Sequence, residues 1–387
     1  MNDFARPPRG KSGPNGTQQD ILVYITDQIS VGVWQPGERI PTRADLRRRF
    51  STTQVTVQQA LHRLAVDGFI CADGRRGTFV AEHPPCLNRV ALVFPTTRQY
   101  LQQSINMWSA LAKEATQCQR SGDYTIHLYT GLNGHTDEPD YQRLLRDVRA
   151  RRLRGIIFTS PPFLLVDTEL WEAIRCSGIR QAAIMPDAAS LGMISLGFDG
   201  QGYLPRLMRH FTERGRRRLA AISSDLGSTP DAENSHGQHF MSAVVASGLE
   251  THPYWIHGIH PAAAASVRRL TWLLFSAPPA QRPDALWIAD DMLVDPVTRG
   301  VVDAGIRVPE ELEIVAHANF PWIAPAVTPV KYLGYDISAL LARTLARLLT
   351  PGTLDTATEI AIPACFDHES GERSLVPTIT SSVLAYR

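Results

Sequence analysis

Residues 51–61 read STTQVTVQQAL, with three Thr, three Gln and no charge in eleven residues. Thr53 suits the N-cap of a helix, and Gly68 suits its stop. Val57, Ala60, Leu61 and Leu64 recur at helical spacing and make an inward stripe. Gln54 and Gln58 then face outward, with Val55 and His62 less squarely so. The exposed face is thus rich in groups that both donate and accept hydrogen bonds.

The flanks give that helix a setting. Upstream, Thr42 opens T-R-A-D, a capping box with Asp in place of Glu, and predicts a short helix from about Arg43 to Phe50. WQPGERIP (34–41) is a turn, and Ile21, Leu22, Ile25 and Ile29 mark an earlier helix ending near Gly32. Downstream, GFICADGRRGTFV (68–80) predicts two short strands around Asp73-Gly74. Three short helices and a two-stranded wing make a winged helix-turn-helix. In that arrangement the N-terminal residues of the third helix meet base edges. Gln pairs with adenine, and Thr offers bases a hydroxyl or a methyl. Hydroxyls at a helix start also suit phosphate oxygens. A solvated amphipathic helix would need none of the accompanying cap, stop and wing.

The run from Ile21 to Val80 resembles the GntR family of bacterial transcription regulators. It carries P-[ST]-R, T-V-x-x-A-L-x-x-L and G-x-x-G-T-F-V in order. The resemblance implies DNA binding as a dimer, with the third helix in the major groove and the wing at the minor groove. It implies contact roles for Arg43, Thr53, Thr56 and Gly77. Thr52, Gln54 and Gln58 on the helix and Arg75 and Arg76 on the wing complete the candidate DNA-binding set. The family usually has Arg at the positions of Gln54 and Gln58. Arg reads guanine and Gln reads adenine, so the operator is expected to depart from the family's usual guanine-containing half-site.

Pro84-Pro85 reads as a stiff joint. Beyond it, apolar runs alternate with helical patterns. The runs are RVALVF (89–94), YTIHLYT (124–130), GIIFTS (155–160), RQAAIM (180–185), RRLAAIS (217–223), PYWIH (253–257), DALWIA (284–289) and LEIVAH (312–317). Helices are predicted near 103–121, 141–152, 169–177, 235–247, 262–275 and 292–304. Strands alternating with helices give parallel sheets with crossover helices. Two such series predict two Rossmann-like lobes, with a ligand at the carboxyl ends of the strands.

Residues 88–370 are similar to the periplasmic-binding-protein-like effector domain of the LacI/GalR repressors. RVALVFP, RGIIF, ISLGFDGQGY, FTERGRRRLAAIS, ALWIADDMLVDPV and DAGIRVPEELEIVAH carry the likeness. It implies a small effector between the lobes. Asp199 matches the ligand-facing Asp that follows the interlobe crossing. Asp290 stands where the family has a sugar-binding Asn, and Asp291 matches a helix-capping Asp. His236 stands for an Arg, and Ala318 for an Asp, with Asn319 beside it. Phe320, Phe163 and Tyr100 are aromatics able to stack on an apolar sugar face. The changed anchors argue against a typical hexose pocket, because buried polar groups left unpaired are costly.

Other chemistries find little support. His252, His257 and His260 have no acid or Cys to complete a tetrahedral metal set. Asp290 and Asp291 are adjacent and point apart, which favours capping over catalysis. G-x-S-x-G is absent. The only lysines are Lys11, Lys113 and Lys331, which offers no convincing Schiff-base site for a pyridoxal-phosphate domain. The five cysteines are odd in number and form no C-x-x-C, as expected of reduced thiols in a cytoplasm. No apolar run is long enough to span a membrane, and the first 16 residues have no signal-peptide core. An exported solute-binding protein is therefore disfavoured. Residues 1–85 carry a net charge of +3 and the remainder −2, a weak bias toward a polyanion-binding start.

The expected chain is α/β with a small N-terminal winged helix-turn-helix. A disordered arm covers 1–16, the reader 17–82, a linker 83–88, the effector and dimerisation domain 89–375, and a tail 376–387. It is a cytoplasmic homodimeric repressor of a double-stranded operator, controlled by a sugar or sugar-like metabolite, with no cofactor, metal, membrane or enzymatic role. The alternatives are a degenerate pocket used for dimerisation only, or a small-molecule binding module without DNA-binding activity.

Overall fold

A computed structural model describes residues 16–30, 33–74, 76–118, 124–185, 188–224, 236–350 and 359–370. The expected arm, Gly16 apart, and the expected tail lie outside these residues. The described residues fall into two compact units, those within 16–95, 118–182 and 348–350 in one and those within 96–117, 183–347 and 359–370 in the other.

The first unit opens with helices α1 (Gly16–Ser30), α2 (Arg43–Phe50) and α3 (Gln54–Val66). Strands β1 (Ile70–Asp73) and β2 (Gly77–Val80) follow as an antiparallel wing, with Ile70 opposite Val80 and Asp73 opposite Gly77. Arg39 bridges to Phe79 and adds one more rung. The α3 stripe, Val57, Ala60, Leu61 and Leu64, packs against Ile21, Ile25 and Ile29 of α1 and Leu46 of α2. The expected linker does not stay extended. After Pro84 the chain turns into a short helix, Pro85–Asn88, whose Cys86 is buried in the core of the winged helix-turn-helix. This tail of the reader runs directly into the first strand of the α/β part.

That part begins with β3 (Arg89–Val93), which pairs in parallel with both β4 (Thr125–Tyr129) and β5 (Gly155–Phe158). β6 (Arg180–Ile184) and β7 (Ile194–Phe198) follow, and the sheet order is β13-β7-β6-β5-β3-β4, with β13 at Ile360–Ile362. β5 is buried at all four positions, as a strand covered on both faces should be.

The second unit holds a sheet built from β8 (Leu219–Ser223), β9 (Ile256–Gly258), β10 (Ala285–Ile288), β11 (Glu313–Phe320), β12 (Lys331–Asp336) and β14 (Cys365–Phe366). Its order is β14-β12-β11-β10-β8-β9, parallel except for the short β14 at the edge. Helices Gly200–Glu213 and His236–Ser247 cover one face with Leu207, Phe211, Phe240 and Val244. Helices Ala264–Phe275 and Val294–Asp303 cover the other with Val267, Phe275, Val294 and Val297.

One predicted helix starts later than expected. The pattern at 103–121 gives helix Met107–Cys118, and a short helix the sequence reading did not predict, Arg98–Gln103 capped by Thr97, precedes it. Between them the Asn106 side chain accepts from the Ser109 amide at 3.0 Å and opens the later helix.

Candidate functional site

The α2–α3 pair is fixed by its caps. The Thr42 hydroxyl accepts from the Asp45 amide at 3.3 Å, and the Asp45 carboxylate accepts from the Thr42 amide at 3.1 Å. Ser51 takes the left-handed conformation (φ 51°) that ends α2. Thr53 then caps α3 by accepting from the Thr56 amide at 3.2 Å, and the two hydroxyls meet at 2.9 Å. These two threonines therefore hold the helix start, and each hydroxyl keeps hydrogen-bonding capacity beyond it. Gln54, Val55 and Gln58 are exposed on the face the sequence assigns, and Thr52 is half-buried just before them.

Cations border this face unevenly. Arg48 is engaged by Asp45, Arg76 by Asp73, and Arg49 lies over the Tyr24 ring at 4.2 Å. Arg39, Arg43 and Arg47 are exposed and make no ion pair among the described residues. Sequence reasoning missed Arg39, whose guanidinium folds across Gly77. A Cβ at Gly77 would lie 2.8 Å from Arg39 Nε, and φ is +127°. Gly77 thus shapes the wing, and Arg39 covers it. Arg75 lies outside the described residues.

In the second unit the carboxyl ends of β8, β10, β11 and β12 gather polar groups. Asp290 accepts from the Met292 amide at 2.8 Å and from the Ser224 hydroxyl. Asp290 is therefore the cap, and the expectation that Asp291 caps is corrected. Asp291 turns inward, is 4% exposed, and accepts from the buried Asn319 amide at 2.7 Å. Burial pushes its carboxyl up to about 7; the Asn319 hydrogen bond opposes this and the Asp290 charge adds to it.

Beside this pair lies an aromatic group that the sequence reading did not assemble. The Tyr335 ring is 4.6 Å from Phe198 and 5.7 Å from Tyr203, and Tyr203 is 5.8 Å from His317. Burial pushes the His317 imidazole down to about 4, so it is neutral near pH 7. The only sequence signal was two polar aromatics, His317 and Tyr335, near the carboxyl ends of otherwise apolar strands.

The structure brings some of the expected effector residues together. Asp290 and Asn319 meet through Asp291. Tyr100 reaches the same loop, with its hydroxyl 4.0 Å from Met292 Sδ. Asp199 accepts from the Gly202 amide at 3.0 Å, capping helix Gly200–Glu213, and its charge adds to burial in raising the Tyr335 phenol. Phe320 is a correction. It is 3% exposed and packs with Leu293, Val294 and Ala324 in the core, because it faces the opposite side of β11 from Asn319. Phe163 is exposed on a 3₁₀ turn of the other unit. The His236 side chain lies outside what is described. His252 and His260 cap turns through backbone amides at 3.2 Å, and His257 bonds the Tyr254 carbonyl.

The fold and these surfaces define a helix-turn-helix DNA-binding module joined to an α/β domain of binding-protein type. Residues 17–80 match the bacterial regulatory proteins of the gntR family, and residues 208–368 match the periplasmic binding protein-like domain. The chain is 37% identical over 79 residues to the histidine utilization repressor of Klebsiella aerogenes, covering 20% of this chain and 32% of that one. It is 20% identical over 357 residues to the arabinose metabolism transcriptional repressor of Geobacillus stearothermophilus, covering 89% and 93% respectively. Among solved structures, a LacI family regulator from Lactobacillus casei with bound glucose aligns over 72% of this chain and 98% of its own, with a TM-score of 0.52 and 17% identity. The regulator CelR in complex with cellobiose aligns over 81% and 88%, with a TM-score of 0.50 and 16% identity. The chain thus carries a GntR-type reader followed by a periplasmic-binding-protein-like domain, the two parts of a transcription regulator. No helix among the described residues is long and apolar enough to cross a membrane.

Proposed function

We propose that this chain is a sequence-specific repressor that binds its operator as a dimer in the cytoplasm and responds to a sugar or sugar-like small molecule. The observation that carries the reading is the capped start of α3, which presents Gln54, Val55 and Gln58 beside three exposed arginines without ion pairs among the described residues. The exposed arginines suit phosphates, and the amides suit adenine edges. The effector lies against the carboxyl ends of β8, β10, β11 and β12. There, Asp290, the Asp291–Asn319 pair and the Tyr335 ring offer the hydrogen-bonding groups and apolar face that a polyol needs. The sugar assignment also draws on the names of relatives such as the arabinose repressor.

The test is selection of bound DNA from a random pool by full-length protein at near-physiological salt. A two-fold symmetric site with adenine at the positions facing Gln54 and Gln58 is the expected result. Guanine retained opposite Gln54 would overturn the base assignment, and no enriched sequence would overturn the reader. Asp199→Ala is expected to remove the ligand response while sparing DNA binding. A normal response would place the ligand elsewhere.

A further inference from the structure

Within the first unit, a cavity of about 460 Å³ lies between helices α1 and α3 of the reader and helix Pro139–Arg149 of the α/β part. Arg63, Arg146, Arg149, Arg151 and Arg152 line it, with Asp67 as the one acid in the lining. The volume is that of a small-molecule site.

Part of this basic lining is structural. Arg151 pairs with Asp27 of α1, Arg149 with Glu169, and Arg152 with both Asp67 and Asp147. The ends of α3 and of helix Pro139–Arg149 also face the cavity, and helix C-termini favour cations. These partners account for three guanidiniums and leave two. Arg146 is exposed and makes no ion pair among the described residues. Arg63 is 3.9 Å from the Asp67 carboxylate, itself already held by Arg152. A third donor is unpaired. Arg152 spends both terminal nitrogens on aspartates, while its Nε is buried with no hydrogen-bond partner. A buried unpaired donor is costly and calls for an acceptor.

DNA is not the natural occupant. Gln54 opens α3, whereas Arg63 and Asp67 lie toward its C-terminal end, roughly 14 and 20 Å along the helix axis from it. We propose that this cavity is a second ligand site, separate from the one at the strand ends, and that it takes a small molecule bearing a phosphate or pyrophosphate group. Planar guanidinium forks match phosphate oxygens bidentately. Because Arg63 belongs to the reader and Arg146 to the α/β part, the bound anion bridges the two.

Calorimetric titration of the full-length protein with inorganic pyrophosphate, at constant ionic strength set by chloride, tests this. Saturable binding is expected, weakened at least tenfold by Arg146→Gln and by Arg63→Gln. Both side chains are largely exposed, so these variants are expected to fold. A double variant at the DNA face, Arg43→Gln with Arg47→Gln, is expected to keep the binding. No saturable binding would overturn the proposal. So would binding indifferent to Arg63 and Arg146, or binding lost equally in the DNA-face variant, which would put the anion on the operator surface.

Discussion

Asp291 shows how a single side chain carries information the sequence holds only in part. Two adjacent acids after a buried strand were legible as a loop feature. Which one caps the turn and which one turns inward depends on backbone angles that no spacing rule sets. The inward acid has a thermodynamic consequence. Its folded pKa is raised from 3.8 to about 7, so the native state binds its proton more tightly than the unfolded chain does. The resulting stabilisation is full below the unfolded value and is lost as pH rises through about 7. His317, held down to about 4 by burial, works the other way, because its contribution is present above its ordinary 6.5 and lost as pH falls toward 4. The two overlap in mildly acidic solution, so the comparison must be made between variants. Asp291→Asn keeps an acceptor for Asn319 and removes the titration. Urea unfolding at pH 5 and pH 8 is expected to show the variant gaining on the parent as pH rises, with an unchanged difference counting against the buried proton. Gln54 offers a second residue-scale check. Gln54→Arg is expected to move the preferred base opposite it from adenine to guanine, with discrimination of about 1–3 kcal/mol, read from paired binding isotherms.

At the scale of elements, the sequence was most legible where local chemistry and burial agree. Capped helices, the Asp73-Gly74 hairpin and the strands β3, β5, β8, β10 and β11 fall where their residues put them. It was least legible where tertiary contacts decide. The short helix Arg98–Gln103 carries no apolar rhythm that announced it, and β12, β13 and β14 are edge or late strands with little alternation of their own. Helix–helix spacing also lies beyond periodicity. Helices Ala264–Phe275 and Val294–Asp303 approach closely at Gly300, where a Cβ would lie 2.5 Å from the Arg268 carbonyl and 2.6 Å from Thr271 Cβ. A carbonyl in the next helix cannot move aside as a flexible side-chain tip can. Gly300→Ala is therefore expected to cost about 1–3 kcal/mol through overpacking, measured by chemical denaturation. A neutral substitution would mean that the two helices slide apart freely.

At the scale of the whole molecule the question is how many readers touch one operator. Phosphate contacts release counterions, so the slope of log K against log salt counts them, at about 0.9 per contact on duplex DNA. Arg43 is the useful probe because it is exposed at the first turn of α2 and makes no ion pair among the described residues. Its deletion therefore leaves no acid uncompensated and little packing lost. If two chains bind one two-fold site and each Arg43 holds a phosphate, Arg43→Ala should flatten the slope by about 1.8, because every residue of the reader acts twice. A single bound chain gives about 0.9. The loss should also be uniform across operator sequences, since a phosphate contact positions the protein without reading bases. Filter binding or anisotropy between 50 and 200 mM salt, as in the range that sets such slopes, separates these cases. An unchanged slope removes Arg43 from the interface, whereas a change confined to some sequences reassigns it to a base edge.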